Sequence, residues 1–517
     1  MKKLATLLAM LLLLTGCASL PPNTQQIYSE ALTCTGDTRL GRDLQYGISE
    51  HPGSSGFLLL DNGLDAFVAR IALIKAAELC IDVQYYLYHD DLIGHLMAYY
   101  LLRAADRGVR VRILLDDISA GKRRDIYLAV FDSHPNIQIR LFNPFSRGGI
   151  RSLQFLTRFG SVTRRMHNKS LTVDNQVTIV GGRNIGNAYF DADPELLFGD
   201  IDAMAIGPVV PEISRSFDKF WNNELAYPIA SLTHSAESAD RLEQDRPRWD
   251  EFIANESSSE YYQALQASDM MQKLRSDQLE FDWGAAKVLY DRPQKITSDV
   301  DDERYHMAPM LKPYVEQVAG ELIVITPYFV PGTEGVEFFT ELVKRGVRVK
   351  ILTNSLASTD VAVVHAGYAK YRKPLLRAGV ELYELDKVPS HRRSESGYRL
   401  SGSSRASLHG KAFVFDRKIL FIGSLNLDPR SFNENTEIGI LFDSPTLGEE
   451  IGESIDDRIG KAAFKVELFT DNAGVESLRW VDTKQGEIEY FYTDPHTSFW
   501  KRLWVGLAGL LPIESQL

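Results

Sequence analysis

Cysteine is scarce: three residues in 517, with no CxxC pair and no Cys/His cluster. That leaves no basis for a structural zinc site, and nothing calls for another metal or a cofactor. Positive charge is also in deficit, with 57 Lys and Arg against 69 Asp and Glu and a net charge of −12. General nucleic-acid binders hold phosphates through a basic surplus, so no nucleic-acid partner is expected, although net charge says nothing of one local cleft. Long hydrophobic runs are missing from both ends. "LATLLAMLLLL" near the start and "FWKRLWVGLAGLL" near the finish are too short to span a bilayer comfortably. What is present is the composition of a folded protein, 44% apolar and 24% charged. The length predicts two or three packed units.

Lys2 and Lys3 precede the first apolar run, the layout of a secretory signal over residues 1–16. The next stretch, "LTGC" from Leu14 to Cys17, resembles the lipobox of bacterial lipoproteins, in which the Cys becomes the lipidated first residue. No Asp stands directly after Cys17, which in Gram-negative lipoproteins implies the outer membrane, with the protein facing the periplasm. Each buried acyl methylene contributes about 0.8 kcal/mol, so several chains on Cys17 make a stable anchor. The two remaining thiols, Cys34 and Cys80, either pair in an oxidising compartment or stay buried and separate.

The chain repeats itself. "CIDVQYYLYHDDLIGHLMAYYLLRAADRGVRVRILLDD" from Cys80 is matched by "ELIVITPYFVPGTEGVEFFTELVKRGVRVKILTNS" from Glu321. Each reads as a buried strand, an amphipathic helix, and "RGVRV" opening a second strand, which predicts βαβ units in a parallel or mixed sheet covered by helices. Residues 17–54 read as a tether, 55–230 as one α/β half and 286–465 as the other. Residues 231–285 read as a helical connection, partly exposed. Residues 466–517 read as a tail whose apolar helix either faces a membrane or docks on the core. "PSHRRSESGYRLSGSSRAS" is a loop that covers the site, binds a phosphate or is simply solvated.

Each half then carries one polar motif. "MHNKSLTVDNQVTIVGGRN" begins at Met166 and "LHGKAFVFDRKILFIGSLN" at Leu408. Both predict a strand, a two-residue turn and a second strand. Alternate strand residues share a face, so His167 sits beside Lys169, and His409 beside Lys411. Asn184 and Asn426 follow the glycines. Phosphodiester exchange needs a nucleophile, an acid for the leaving alkoxide and donors for the phosphoryl oxygens. Two opposed halves supply all three without a metal. Losing one such donor typically costs about a hundredfold or more in rate. Asp174 and Asp416 stay in the candidate set, although they fall at the turns, where Asp has a structural use. A reacting imidazole also needs a carboxylate on its other nitrogen. Glu437 in the second half and Asp200 in the first are the candidates, with Asp202 close behind, and the sequence leaves open which acid meets which His.

The pattern HxKxxxxD, then GG or GS, then Asn, found twice, resembles the phospholipase D superfamily. "DVQYYLY", "RRMHNKS", "GGRNIGNAYFDA" and the ending "LLPIESQL" are similar to bacterial cardiolipin synthases of the C type. The resemblance implies an α/β fold of two pseudo-twofold-related phospholipase D-like halves, each a mixed sheet flanked by helices, around one shared active site. It implies transfer of a phosphatidyl group between glycerophospholipids at a membrane surface, giving cardiolipin from phosphatidylglycerol and a second phosphatidylglycerol or phosphatidylethanolamine. A covalent phosphohistidine is implied, with His167 as nucleophile and His409 as acid. The same residues would serve a phospholipase D that hydrolyses lipid to phosphatidic acid. A nucleic-acid phosphodiesterase and a non-catalytic lipid-binding envelope protein are the remaining alternatives. Any accessory protein partner is left open.

Overall fold

The computed structural model describes residues 20–119, 121–147, 154, 160, 162–193, 196–233, 238–276, 278–387, 405–472, 474–483 and 488–511. The signal segment with Cys17, most of the Ser- and Arg-rich loop and the final "PIESQL" lie outside the described residues.

Two sheets carry the fold. The first runs, in spatial order, Asp282–Gly284, Ser55–Leu60, Asp202–Ile206, Val177–Gly181, Ser170–Val173, Cys80–Tyr85, Arg110–Asp116, Ile137–Phe142 and Ala226–Pro228. The second repeats that order from Ser55–Leu60 onward with Ala286–Tyr290, Ile438–Asp443, Ile419–Gly423, Ala412–Phe415, Glu321–Ile325, Arg348–Asn354, Glu381–Leu385 and Ala463–Thr470. In each, three parallel strands linked by helices meet an antiparallel hairpin, as the mixed-sheet expectation requires. The repeated "RGVRV" has a backbone cause. The helices Leu92–Asp106 and Gly332–Lys344 both end into glycines at positive φ, Gly108 at 95° and Gly346 at 90°, which turn the chain into the next strand.

Central strands are buried on both faces, which explains their near-continuous apolar sequences. One apolar cluster lies between the sheets and joins Phe57, Ala203 and Ala205 of the first to Ile422, Ile440 and Phe442 of the second. Phe57 and Phe442 stack there at 4.1 Å. Separate clusters fill the space under the helices of each half. Because the sheets share an apolar face, the halves are held in fixed relation, and strand ends from both converge.

Two segments differ from the expectation, and the helical connection, partly exposed as expected, is also anchored in the core. The supposed tether is laid along the first half, where the Ala31 N–H donates to Asp218 at 2.9 Å and the Gln26 amide to the Asn223 carbonyl at 2.9 Å. The helical connection, Ser238–Glu256, Glu260–Ala267 and Asp269–Ser276, buries Tyr261, Leu265 and Met270 in the core of the first half. The region from 466 is not mainly a tail, because Glu476–Asp482 and Glu489–Phe491 extend the second sheet beyond Ala463–Thr470. Its strands are half-exposed and polar, so they lack the apolar runs that marked the central ones. Cys34 is exposed and Cys80 buried, both as free thiols, and burial pushes the Cys80 thiol up to about 12.

Candidate active site

The ends of the parallel strands place the two histidines. Asp116 closes the strand Arg110–Asp116, pairs with the buried Arg165 at 2.7 Å and accepts the Met166 N–H at 2.9 Å. Asn354 closes the corresponding strand of the second half, accepting the Leu408 N–H and donating to the Leu408 carbonyl, both at 2.9 Å. The residue before each His is thereby fixed from within its own half. The His main chains then cross over: His167 N–H donates to the Thr436 carbonyl at 2.9 Å, and His409 N–H to the Gly199 carbonyl at 2.8 Å.

The side chains cross in the same way. His167 Nδ1 lies 2.9 Å from Glu437 Oε2, and His409 Nδ1 lies 2.6 Å from Asp200 Oδ2. Each imidazole is thus oriented by a carboxylate from the opposite half, which leaves Nε2 as the reactive nitrogen. Glu437 is held in turn by the hydroxyls of Ser424 and Ser431, and its N–H donates to Asp291 at 2.8 Å. Asp200 is shorter and sits closer to the backbone: a Cβ on Gly182 would come within 2.2 Å of its Oδ1. This accounts for "GG" in the first motif and "GS" in the second. Glycine makes room for Asp200, whereas Ser424 at the matching position bonds Glu437. Asp202 is no alternative, since it pairs with Arg70 at 2.7 Å and Arg183 at 3.2 Å.

Lys169, Lys411, Asn184 and Asn426 are all buried. Lys169 donates to the His167 carbonyl, and Lys411 lies 2.9 Å from His409 Nδ1 and 3.2 Å from Nε2. Asn184 donates to Tyr189 Oη at 3.0 Å and accepts the Leu87 N–H, while Asn426 Oδ1 is buried with no partner among the described residues. Two aromatic rings flank the imidazoles edge-on, Tyr86 at 4.9 Å from His167 and Tyr189 at 5.0 Å from His409. The tyrosines, and Ser424, Ser431 and Asp291 behind Glu437, escaped the sequence reading. Only the repeat register, with Tyr86 in the stretch "DVQYYLY", carried a hint of them.

Burial sets the electrostatics. It holds His167 well below its ordinary value, helped by Lys169 and Lys411. It lowers His409 too, with Lys411 reinforcing and Asp200 opposing. Burial pushes Lys169 far down, with Lys411 reinforcing, and pushes Lys411 to about 8, although the acids oppose both shifts. The two carboxylates behave differently. Burial raises Glu437 to about 7 against the pull of Lys169 and the serines. For Asp200 the burial penalty is overcome by His409, Lys411 and Arg183, which hold the carboxyl well below the usual range. The site therefore gathers four buried basic groups, all pushed toward their neutral forms, with one firmly ionised acid and one that titrates at about 7. An anionic phosphodiester entering it favours the charged forms of the bases. Among the described residues no His/Cys/Asp/Glu group is arranged to hold a metal.

Asp174 and Asp416 leave the candidate set. Both adopt positive φ, 49° and 52°, in the hairpin turns. Asp174 accepts the N–H groups of Glu78, Leu79 and Cys80, and Asp416 those of Ala319, Gly320 and Glu321. Each carboxylate ties its hairpin to the start of the neighbouring strand, so the third letter of the motif is architectural. Asp174→Ala is expected to lower stability by about 1–3 kcal/mol through the orphaned donors and the strained turn. Asp174→Asn, which tolerates that backbone, is expected to lose less. Denaturant melts check this, with activity per folded molecule unchanged in both.

A family model described as "Cardiolipin synthase, PLD-like domain" matches residues 71–221 and 315–459. The chain is 42% identical over 469 residues to cardiolipin synthase C of Escherichia coli (strain K12), covering 90% of this chain and 97% of that protein. An uncharacterized protein of Helicobacter pylori (strain ATCC 700392 / 26695) is 33% identical, with 90% of each chain covered. Among solved structures, phosphatidylserine synthase of Haemophilus influenzae Rd KW20 superposes with a TM-score of 0.55 at 13% identity, over 83% of this chain and 92% of that one. That last likeness bears on the fold alone.

Proposed function

Since the chain belongs to the family of cardiolipin synthases with phospholipase D-like domains, we propose that it is a phosphatidyltransferase that makes cardiolipin. The observation that carries the reading is the pair of crossed His–carboxylate contacts beside two buried lysines. His167 Nε2 attacks the phosphorus of a donor phospholipid, phosphatidylglycerol or phosphatidylethanolamine. The bond from phosphorus to the headgroup oxygen breaks as His409 delivers its proton to that oxygen. The phosphatidyl group is then carried on His167, whose positive charge faces Glu437. A headgroup hydroxyl of phosphatidylglycerol attacks next, His409 takes its proton, the P–N bond breaks, and cardiolipin leaves. Lys169, Lys411, Asn184 and Asn426 stabilise the charge on the equatorial phosphoryl oxygens.

Purified protein given phosphatidylglycerol, with and without phosphatidylethanolamine, is expected to yield cardiolipin plus glycerol or ethanolamine by mass spectrometry. Phosphatidic acid accumulating without cardiolipin would replace this reading with a hydrolase. The substrates place the work at a membrane surface, and the net charge of −12 argues against nucleic acid as the ligand. The basic-then-apolar start and "LTGC" support a lipoprotein anchored through Cys17 and facing the periplasm, in the outer membrane. The mass of the mature N-terminal peptide decides that point.

A further inference from the structure

The helix Phe499–Ala508 is apolar on two sides. Val505 and Ala508 point inward and join Leu356 and Ala366 in a small core. The helix is further fixed by Lys501, whose ammonium donates to the Leu356 carbonyl at 2.5 Å, and by Arg502, which donates to the Thr497 carbonyl at 2.6 Å. Outward, Trp500 is 74% exposed, Trp504 55%, Leu507 58% and Leu511 57%. Their recurrence every three or four residues makes a single stripe, extended by Phe499, Leu503 and Leu510. Burying such a stripe is favourable, and two tryptophans beside Lys501 and Arg502 are the composition of a helix lying in a bilayer interface. Among the described residues no helix is long and apolar enough to cross a membrane, so this one can lie on a bilayer without spanning it.

A second feature fixes what the stripe is for. A cavity of about 500 Å³ opens between the Ala357–Asp360 turn, Lys387 and the first turn of this helix, where His496, Ser498 and Lys501 line it. In its wall Ser358 donates to Asn354 Oδ1 at 3.1 Å, the side chain that fixes Leu408 next to His409, and Asp360 accepts from Tyr328 Oη at 2.9 Å. Lys501 faces this cavity while its neighbours Trp500 and Trp504 face solvent, so one helical turn joins the apolar stripe to the mouth of a basic-rimmed cavity.

We infer that the outer face of Phe499–Ala508 docks in the interface of an anionic phospholipid bilayer and holds the cavity mouth at headgroup level, where phospholipids pass to the catalytic pair. The docking stands on the helix itself, and the passage of substrate rests on the phosphatidyltransferase reading. Lys387, Lys501 and Arg502 supply the charge that an anionic headgroup meets, and the apolar stripe takes the place of headgroup-level water.

The test uses the full chain on vesicles of phosphatidylglycerol and phosphatidylethanolamine carrying brominated acyl chains. Bromine is expected to quench tryptophan emission in the parent and much less in a W500F/W504F variant. Equal quenching in both, or none in the parent, overturns docking, and the latter leaves the stripe to a protein partner. Leu503→Glu with Leu507→Glu, at exposed positions, is expected to cut activity on vesicles by about tenfold or more. The same variant should melt like the parent and retain activity on short-chain phosphatidylglycerol below its micelle concentration. Equal activity of parent and variant on vesicles also overturns it. If the parent is quenched yet forms no cardiolipin or phosphatidic acid from either substrate, docking stands and the phosphatidyltransferase reading fails.

Discussion

His167→Ala and His409→Ala are each expected to abolish cardiolipin formation, with losses on the order of 10⁴ or more because nucleophile and acid act in one sequence. The two variants separate when the leaving group needs no proton. On a phosphatidyl ester of p-nitrophenol, His409→Ala retains its nucleophile and should release one equivalent of nitrophenolate. The product is a phosphatidylated chain that turns over very slowly, because no base remains for the incoming alcohol. His167→Ala should show neither burst nor adduct. The assignment follows from the carboxylates. Burial and the lysines hold His167 neutral, the form that attacks. Burial lowers His409 as well, but ionised Asp200 opposes that lowering, so His409 is the imidazole better able to carry the donated proton. A phosphodiester entering between the lysines offsets their depression of His409 and favours its protonation further. A burst in His167→Ala and none in His409→Ala would reverse the roles.

Activity is expected to follow a narrow bell in pH, and its acid limb should belong to Glu437. Burial raises this carboxyl to about 7, so the ionised form that stabilises a charged phosphohistidine fills as pH rises through 7. Lys411, pushed down to about 8, must keep its proton to stabilise the phosphoryl oxygens, and that form empties as pH rises through 8. The maximum of kcat/KM is therefore expected between these values. Glu437→Gln keeps the shape but not the charge. It should lower kcat by about 10²–10⁴ and remove the acid limb, whereas Asp200→Asn should slow the reaction but leave the limb near 7. An unchanged acid limb in Glu437→Gln would sink this account. The third possibility, a limb that moves with both variants, would assign it to the cluster as a whole and equally count against Glu437.

Much of this was legible because it is local or repeated. Alternate residues on a strand share a face, so His167 with Lys169 and His409 with Lys411 could be grouped from spacing alone. The turn chemistry of Asp174 and Asp416 was legible for the same reason, since a left-handed turn writes itself into adjacent residues. The crossing was not. His167 and Glu437 are 270 residues apart and His409 and Asp200 are 209 apart, and no local pattern records which sheet faces which. The candidate acids were identified from the need for a carboxylate on each imidazole, yet the reason for Asp in one half and Glu in the other, the room at Gly182 and the hydroxyl at Ser424, exists only in three dimensions. The strands after 470 were missed because edge strands half in water carry weak alternation.

The crossed carboxylates also decide when in the life of a molecule the chemistry can begin. A growing or partly unfolded chain that has formed the first sheet already holds His167 and Lys169, but the acid that steadies its imidazole arrives only with residue 437. Reactivity is thus a property of completed folding, and an unfinished chain carries a nucleophile with nothing to aim it.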